Sequence, residues 1–177
     1  MPSSFRSSFQ QLLEIADSQR PGYRSSLGDG LDLDTIRSML PVSDYFPWLV
    51  DVYSLVSGTP RGIQNQSLMD LVPGYRLVEL QEVASGDHWE GQRIVPLLSN
   101  YSSDHIAFIG TNPNLWSVGH DDCEARKLYD SPDTFVHSLI EYYRTGAYFL
   151  DPDGYLDYDP RKVSEIRRRL NPESESC

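Results

Sequence analysis

RIVPLLSNYSSDHIAFIGTNPNLWSVGHDDCEARKLY, residues 93–129, decides the fold. Four runs within it carry strand chemistry: RIVPLL, DHIAFIG, LWSVG and ARKLY. Turn-forming clusters, SNYSS, TNPN and HDDCE, separate them. Four short strands at this close spacing predict an antiparallel meander. IAFI is apolar throughout, as a central strand of a sheet is.

Working outward, the flanks are helical. After the meander, Ser131 fits an N-cap, Pro132 the first helical position and Gly146 the C-cap. Phe135, Leu139, Tyr142 and Tyr143 give that helix an inward face. A second C-terminal helix starts at Asp159-Pro160, with Val163, Ile166 and Leu170 on one side. Arg167, Arg168 and Arg169 gather at its C-terminal end, where the helix dipole favours cations. NPESESC (171–177) reads as a frayed tail. Upstream, Phe5, Phe9, Leu12, Leu13 and Ala16 share one face of a helix over residues 4–19. SSLGDG reads as a flexible joint. LDLDTIRSML is a short helix capped by Asp32 or Asp34, with Leu33, Ile36 and Leu40 inward and Pro41 interrupting it. VSDYFPWLVDVYSLVSG has only a narrow polar stripe, Asp44, Asp51 and Ser54. It predicts a nearly buried helix ending at Gly58, with Pro47 in its first turn or at a kink. TPRGIQNQSLMDLV (59–72) has no clear period, and a loop this long in a domain is mobile or functional. YRLVEL reads as a strand, and residues 80–84 as a helical turn. This order makes the chain one α+β domain: helices, a meander of about four strands, a helix, a hairpin and a last helix.

Composition narrows the function classes. The chain has 177 residues, 39% of them hydrophobic, and a formal net charge of −11. That charge opposes a nucleic-acid or anionic-membrane surface, which needs a basic field. It suits a basic protein partner, because opposite charges speed encounter; it also suits plain solubility. The sequence has no apolar stretch long enough to cross a membrane and no signal-peptide pattern at its start, so the expected location is the cytoplasm. Cys123 and Cys177 are expected to be free thiols.

GAYFLDPDGYLDYDP (146–160) is the stretch richest in chemical alternatives, with four aspartates among aromatics. A calcium loop fails on spacing, because a third ligand and the closing glutamate are absent where an EF-hand needs them. Asp157 and Asp159 lie on one face of an extended strand and form a candidate hydrolase pair, but neighbours on one exposed face do not oppose each other across a cleft. The hairpin reading is simpler. Pro152-Asp153-Gly154 is turn chemistry, and residues 147–150 pair with 155–158. Asp151, Asp153 and Asp157 are then an exposed acidic edge. HDDCE (120–124) offers potential metal ligands, but adjacent strand residues alternate faces, and a polar turn is the preferred reading. Sequence signatures for zinc sites, nucleophilic hydrolases and nucleotide loops are missing. His137 reads as a helix-surface residue, and Trp48, Trp89 and Trp116 as packing residues. No catalytic residue, cofactor or metal is assigned.

Several pieces in order resemble the SUKH superfamily, which includes yeast cell-wall-assembly regulators of Smi/Knr type and many bacterial relatives. They are Leu40-Pro41, the apolar helix ending at Gly58, PGYRLVEL (73–80), Trp89, VPLLSN (95–100), DHIAFIG, YDSPDTFVHSLIEYYRTGAYF (129–149) and DPDGYLDYDP (151–160). The resemblance spans residues 31–170, making residues 1–30 an N-terminal helical extension. It implies an antiparallel sheet packed on helices and a binding module with no known catalytic centre. Bacterial members are often immunity proteins that neutralise toxins, commonly nucleases or deaminases. The eukaryotic branch acts in cell-wall synthesis and signalling through protein contacts. The expected partner is therefore a protein, a basic toxin domain, and the alternatives are a housekeeping regulator or scaffold and a hydrolase using Asp157 and Asp159. The interface candidates are Asp121, Asp122 and Glu124 in the HDDCE turn, Asp151, Asp153, Tyr155 and Asp157 in the hairpin, and Arg61, Gln64 and Asn65 in the 59–72 loop.

Overall fold

The meander forms as its sequence predicts. A computed structural model describes residues 4–40, 46–85, 88–120 and 124–174 of the chain, without the Trp89 side chain. Strands β3 (Gln92–Ser99), β4 (His105–Ile109), β5 (Asn112–Val118) and β6 (Ala125–Tyr129) pair antiparallel in sequence order. β1 (Arg76–Leu77) adds to the free edge of β3, and β2 (His88–Trp89) pairs further along the same strand. β4 lies at the centre, with four of its five residues buried, which explains its unbroken apolar run. Ile106 and Phe108 join the main core, while Ala107 and Ile109 join a smaller cluster with Trp116 on the other face. Register shifts in β3, β4 and β5 adjust this alternation locally.

Helix α6 (Pro132–Arg144) follows β6 and begins with a complete capping box. The Ser131 hydroxyl accepts from Thr134 N at 3.1 Å, and Thr134 Oγ1 accepts from Ser131 N at 3.0 Å. α1 (Ser4–Gln19) packs against α6 through the predicted stripe, and Phe9, Leu12, Leu13 and Ala16 are 0–1% exposed. The first helix thus contributes Phe5, Phe9, Leu12, Leu13 and Ala16 to the same buried core as the elements that follow it. Burying each such leucine or phenylalanine contributes about 1.5–3 kcal/mol.

Several local expectations are corrected. The joint after α1 contains a one-turn helix, α2 (Tyr23–Ser26). α3 (Leu33–Met39) is capped by Asp32, whose carboxylate accepts from Thr35 N at 2.9 Å, and Leu33 faces solvent at 41% exposure. α4 (Phe46–Tyr53) keeps Pro47 in its first turn but stops five residues before Gly58. The N–H groups of Ser57 and Gly58 both bond Leu27 O at 3.1 Å, so the chain turns toward α2 instead of extending the helix. YRLVEL forms only the two-residue β1, because α5 (Leu80–Ala84) begins directly after Glu79. Pro41, Asp44, Cys123 and Cys177 lie outside the described residues.

The C-terminal hairpin is β7 (Tyr148–Leu150) and β8 (Leu156–Tyr158), with Phe149 opposite Asp157. Its turn closes through Gly154 N to Asp151 O, 3.0 Å, with Gly154 at φ 89°. α7 (Pro160–Leu170) starts at the Asp159 cap and buries Ile166, with Val163 and Leu170 packed beside it. The tail expected to fray from residue 171 is anchored at its start, since Asn171 is 1% exposed. Its Oδ1 accepts from Asp130 N at 3.1 Å, and its Nδ2 donates to Ser138 Oγ at 3.0 Å.

Candidate functional site

Antiparallel parity puts the β3–β4 and β5–β6 connections at the same end of the sheet. Hydrogen bonds tie them together there. Asn100 Oδ1 accepts from Ser102 N (2.9 Å) and Asp104 N (2.8 Å), and Asn100 Nδ2 donates to Asp104 Oδ2 at 2.9 Å. Asp104 Oδ1 accepts from His120 N at 2.9 Å, joining the two turns. The His120 N–H and then the Asn100 amide hold the Asp104 carboxyl below its ordinary range. Tyr101, at the tip of the first turn, is left 64% exposed.

The aperiodic 59–72 loop reaches this end through β1. Glu82, on α5, takes Arg76 in a two-pronged pair at 2.8 and 2.6 Å and Arg61 at 3.2 Å. Hydrogen bonding from Arg76 lowers the Glu82 carboxyl and raises the Arg76 guanidinium. Between this cluster and Tyr101 lies a cavity of about 370 Å³, lined by Thr59, Arg61, Ile63, Met69, Arg76 and Asn100 among others. The loop is fixed from below by Arg20, which is 1% exposed. Arg20 donates to Asp70 O (2.6 Å), Ser67 O (3.1 Å) and the Tyr143 hydroxyl, and its guanidinium lies 3.9 Å from the Tyr23 ring centre. Burial pushes the Asp70 carboxyl up, although Gly74 N donates to it at 3.0 Å.

The C-terminal hairpin carries further exposed aromatic side chains. Burial is the main influence raising the Tyr101 hydroxyl, and the charges of Asp70, Arg76 and Tyr155 act on it more weakly. Phe149, Leu150, Tyr155 and Tyr158 are 39–46% exposed on the hairpin.

The nominated residues behave unequally. Asp151 is not a free acid: its Oδ1 accepts from Asp153 N and Tyr155 N, both at 2.9 Å, and shapes the turn. Asp157 Oδ1 accepts from Tyr158 N at 2.8 Å but remains exposed, as does Asp153. Asp159 caps α7 by accepting from Arg161 N at 2.9 Å, so it and Asp157 bind separate backbone donors. Gln64 donates to Gly62 O at 3.1 Å, and Asn65 caps the one-turn 3₁₀ helix Gln66–Leu68. Arg61 lines the cavity. Glu124 is exposed and pairs with Arg126 at 3.1 Å. Asp121 and Asp122 lie outside the described residues. Sequence reasoning missed Arg76, Asn100, Tyr101 and Asp104. The signal was in SNYSSD (99–104), a tyrosine inside a polar turn between two strands.

Among the described residues, no group of three or more His, Cys, Asp and Glu side chains forms a possible metal site, and no helix is long and apolar enough to cross a membrane. Compared with known proteins, the chain matches no family model and no curated protein.

Proposed function

We propose that the chain is a non-catalytic, SUKH-like binding module of the cytoplasm, an immunity protein that neutralises a basic toxin domain of nuclease or deaminase type. The observation that supports this most is the exposed Tyr101 on a hydrogen-bonded turn at one end of the sheet, with Tyr155, Asp153 and Asp157 exposed on the C-terminal hairpin. Tyrosines on a fixed frame are favourable anchors, and acids around them steer a cationic partner. The cavity itself is lined by Arg61 and Arg76. Both are paired with Glu82, so the cavity presents little unopposed positive charge to a basic partner.

Co-expression with the products of neighbouring genes tests the reading. The expected result is that one product toxic to cells is neutralised and co-purifies with the chain. Asp153→Lys with Asp157→Lys then slows association about tenfold or more at low salt. Tyr101→Ala speeds dissociation, at a cost of about 2 kcal/mol if it is an anchor. If no neighbouring product is toxic, or a toxic one is neither bound nor neutralised, the immunity reading is wrong. A housekeeping regulator or scaffold is the second reading. It is favoured by the spread of exposed acids to sites far along the chain, such as Asp29, Asp34 and Glu165, as solubility alone requires.

A further inference from the structure

A second cavity, of about 190 Å³, lies between the core-facing side of the sheet and the unit formed by β7, β8 and α7. Ile106 and Ser117, paired across β4 and β5, form its floor. Tyr75, Tyr148 and Tyr158 contribute aromatic walls, and Arg167 reaches it from α7. Arg167 has no carboxylate within ion-pair distance among the described residues, whereas nearby Arg169 pairs with Glu141 and Lys127 with Asp130. It shares the cavity lining with Tyr129, Tyr148 and Tyr158, so it stands beside an aromatic, partly dehydrated space.

These features select one ligand chemistry. A half-buried guanidinium presents a planar fork of donors that matches a carboxylate. Tyrosine rings favour an aromatic body in offset or edge contact. Size sets the limit: a cavity of about 150 Å³ holds a benzene-sized molecule, so this one has room for a single ring bearing a short acid. The apolar walls disfavour a fully hydrated inorganic anion, and Arg167 disfavours a cation.

We propose that this cavity binds a small aromatic carboxylic acid, its ring among Tyr75, Tyr148 and Tyr158 and its carboxylate on Arg167. This cavity is distinct from the one lined by Arg61 and Tyr101, although its wall residue Tyr75 also reaches Asn100 of the sheet-end surface, and the proposal does not depend on the proposed toxin.

Calorimetric titration of the full chain with phenylacetate, and with its neutral amide phenylacetamide, tests this. Phenylacetate is expected to bind saturably at one site and, in a parallel NMR titration, to give chemical-shift changes centred on Ser117 and Tyr158. Phenylacetamide, and phenylacetate on Arg167→Gln, are expected to bind at least about tenfold more weakly. Val163→Phe, which fills the cavity from α7, is expected to abolish binding. The proposal is overturned by any of four results. One is no saturable binding up to about 10 mM, beyond the weak end of useful affinity. Another is equal binding of acid and amide, a third is shifts centred elsewhere, and the fourth is undiminished binding by Val163→Phe. If Arg167→Gln fails to fold by its thermal melt, the amide and Val163→Phe arms decide alone.

Discussion

Replacing Asn171 with alanine discriminates sharply between a frayed tail and an anchored one. The side chain is 1% exposed and joins three elements. Asn171 Oδ1 accepts from Asp130 N at the β6–α6 junction, Nδ2 donates to Ser138 Oγ on α6, and Nδ2 also approaches Arg167 O at 3.3 Å. Asn171→Ala removes all of these. Ser138 keeps its own donation to Thr134 O at 2.7 Å, so only its accepting side is left empty. Asp130 N is half-buried and recovers part of its loss from water. Each of the two inter-element bonds is worth about 1 kcal/mol net, giving a loss of about 2 kcal/mol. For a chain of this length that lowers the melting midpoint by about 4–8 °C. Urea unfolding at neutral pH measures it, and an unchanged slope would show that the compactness of the end states is preserved. Glu173→Ala is the control: its side chain is 80% exposed and lies 3.9 Å from Lys127, so the expected change is within about 0.5 kcal/mol. If Asn171→Ala matches this control, the three-way anchor is not holding α7 in place and the reasoning fails.

Two further perturbations address the site's support. Burial raises the Asp70 carboxyl above its ordinary 3.8, so its contribution to stability is complete below that value and is lost as pH rises through the folded-state value. Asp70→Asn is therefore expected to gain stability relative to the parent between pH 4 and pH 7, and a pH-independent difference in urea midpoint would refute this. Gly58 has φ 112°, and a Cβ there would lie 2.6 Å from Val78 O and 2.8 Å from Glu79 Cα. Gly58→Ala is expected to cost about 3 kcal/mol in urea unfolding from backbone strain and crowding together, and a cost below about 1 kcal/mol would show that β1 can move away.

The parts legible in the sequence are those whose order is local. The meander, the hairpin turn at Pro152-Asp153-Gly154 and the caps of α6 and α7 each follow from residues within a few positions of one another. The misread parts depend on distant partners. α4 looked like a helix running to Gly58 because its hydrophobicity continues, but the N–H groups of Ser57 and Gly58 are taken by Leu27, some 30 residues away. Leu33 carried an apolar label yet lies outward, because α3 is short and only Ile36 of its seven residues is buried. Asn171 sits in a stretch whose composition reads as tail, and its amide finds its distant partners only where the β6–α6 junction and α6 bring Asp130 N and Ser138 to it.

The candidate site shows the same division at closer range. Strand parity alone brings the β3–β4 and β5–β6 turns to one end, so that half of the site was available from the strand count. The other half was hidden, because the 59–72 loop takes its order from Arg20, an arginine just beyond the end of α1 that extends the helix's buried stripe four residues past Ala16. A buried arginine reads from sequence as a surface cation, and a loop without a period reads as mobile. Together they produce the opposite: carbonyls at Ser67 and Asp70 held on a buried guanidinium, and a wall stiff enough to keep Arg61 and Met69 lining a defined cavity. That rigidity matters for recognition. Exposed Tyr101 and Tyr155 bind with little entropic loss only if the loops presenting them are already ordered in the free protein, which is the arrangement the hydrogen bonds of Asn100, Asp104 and Asp151 provide.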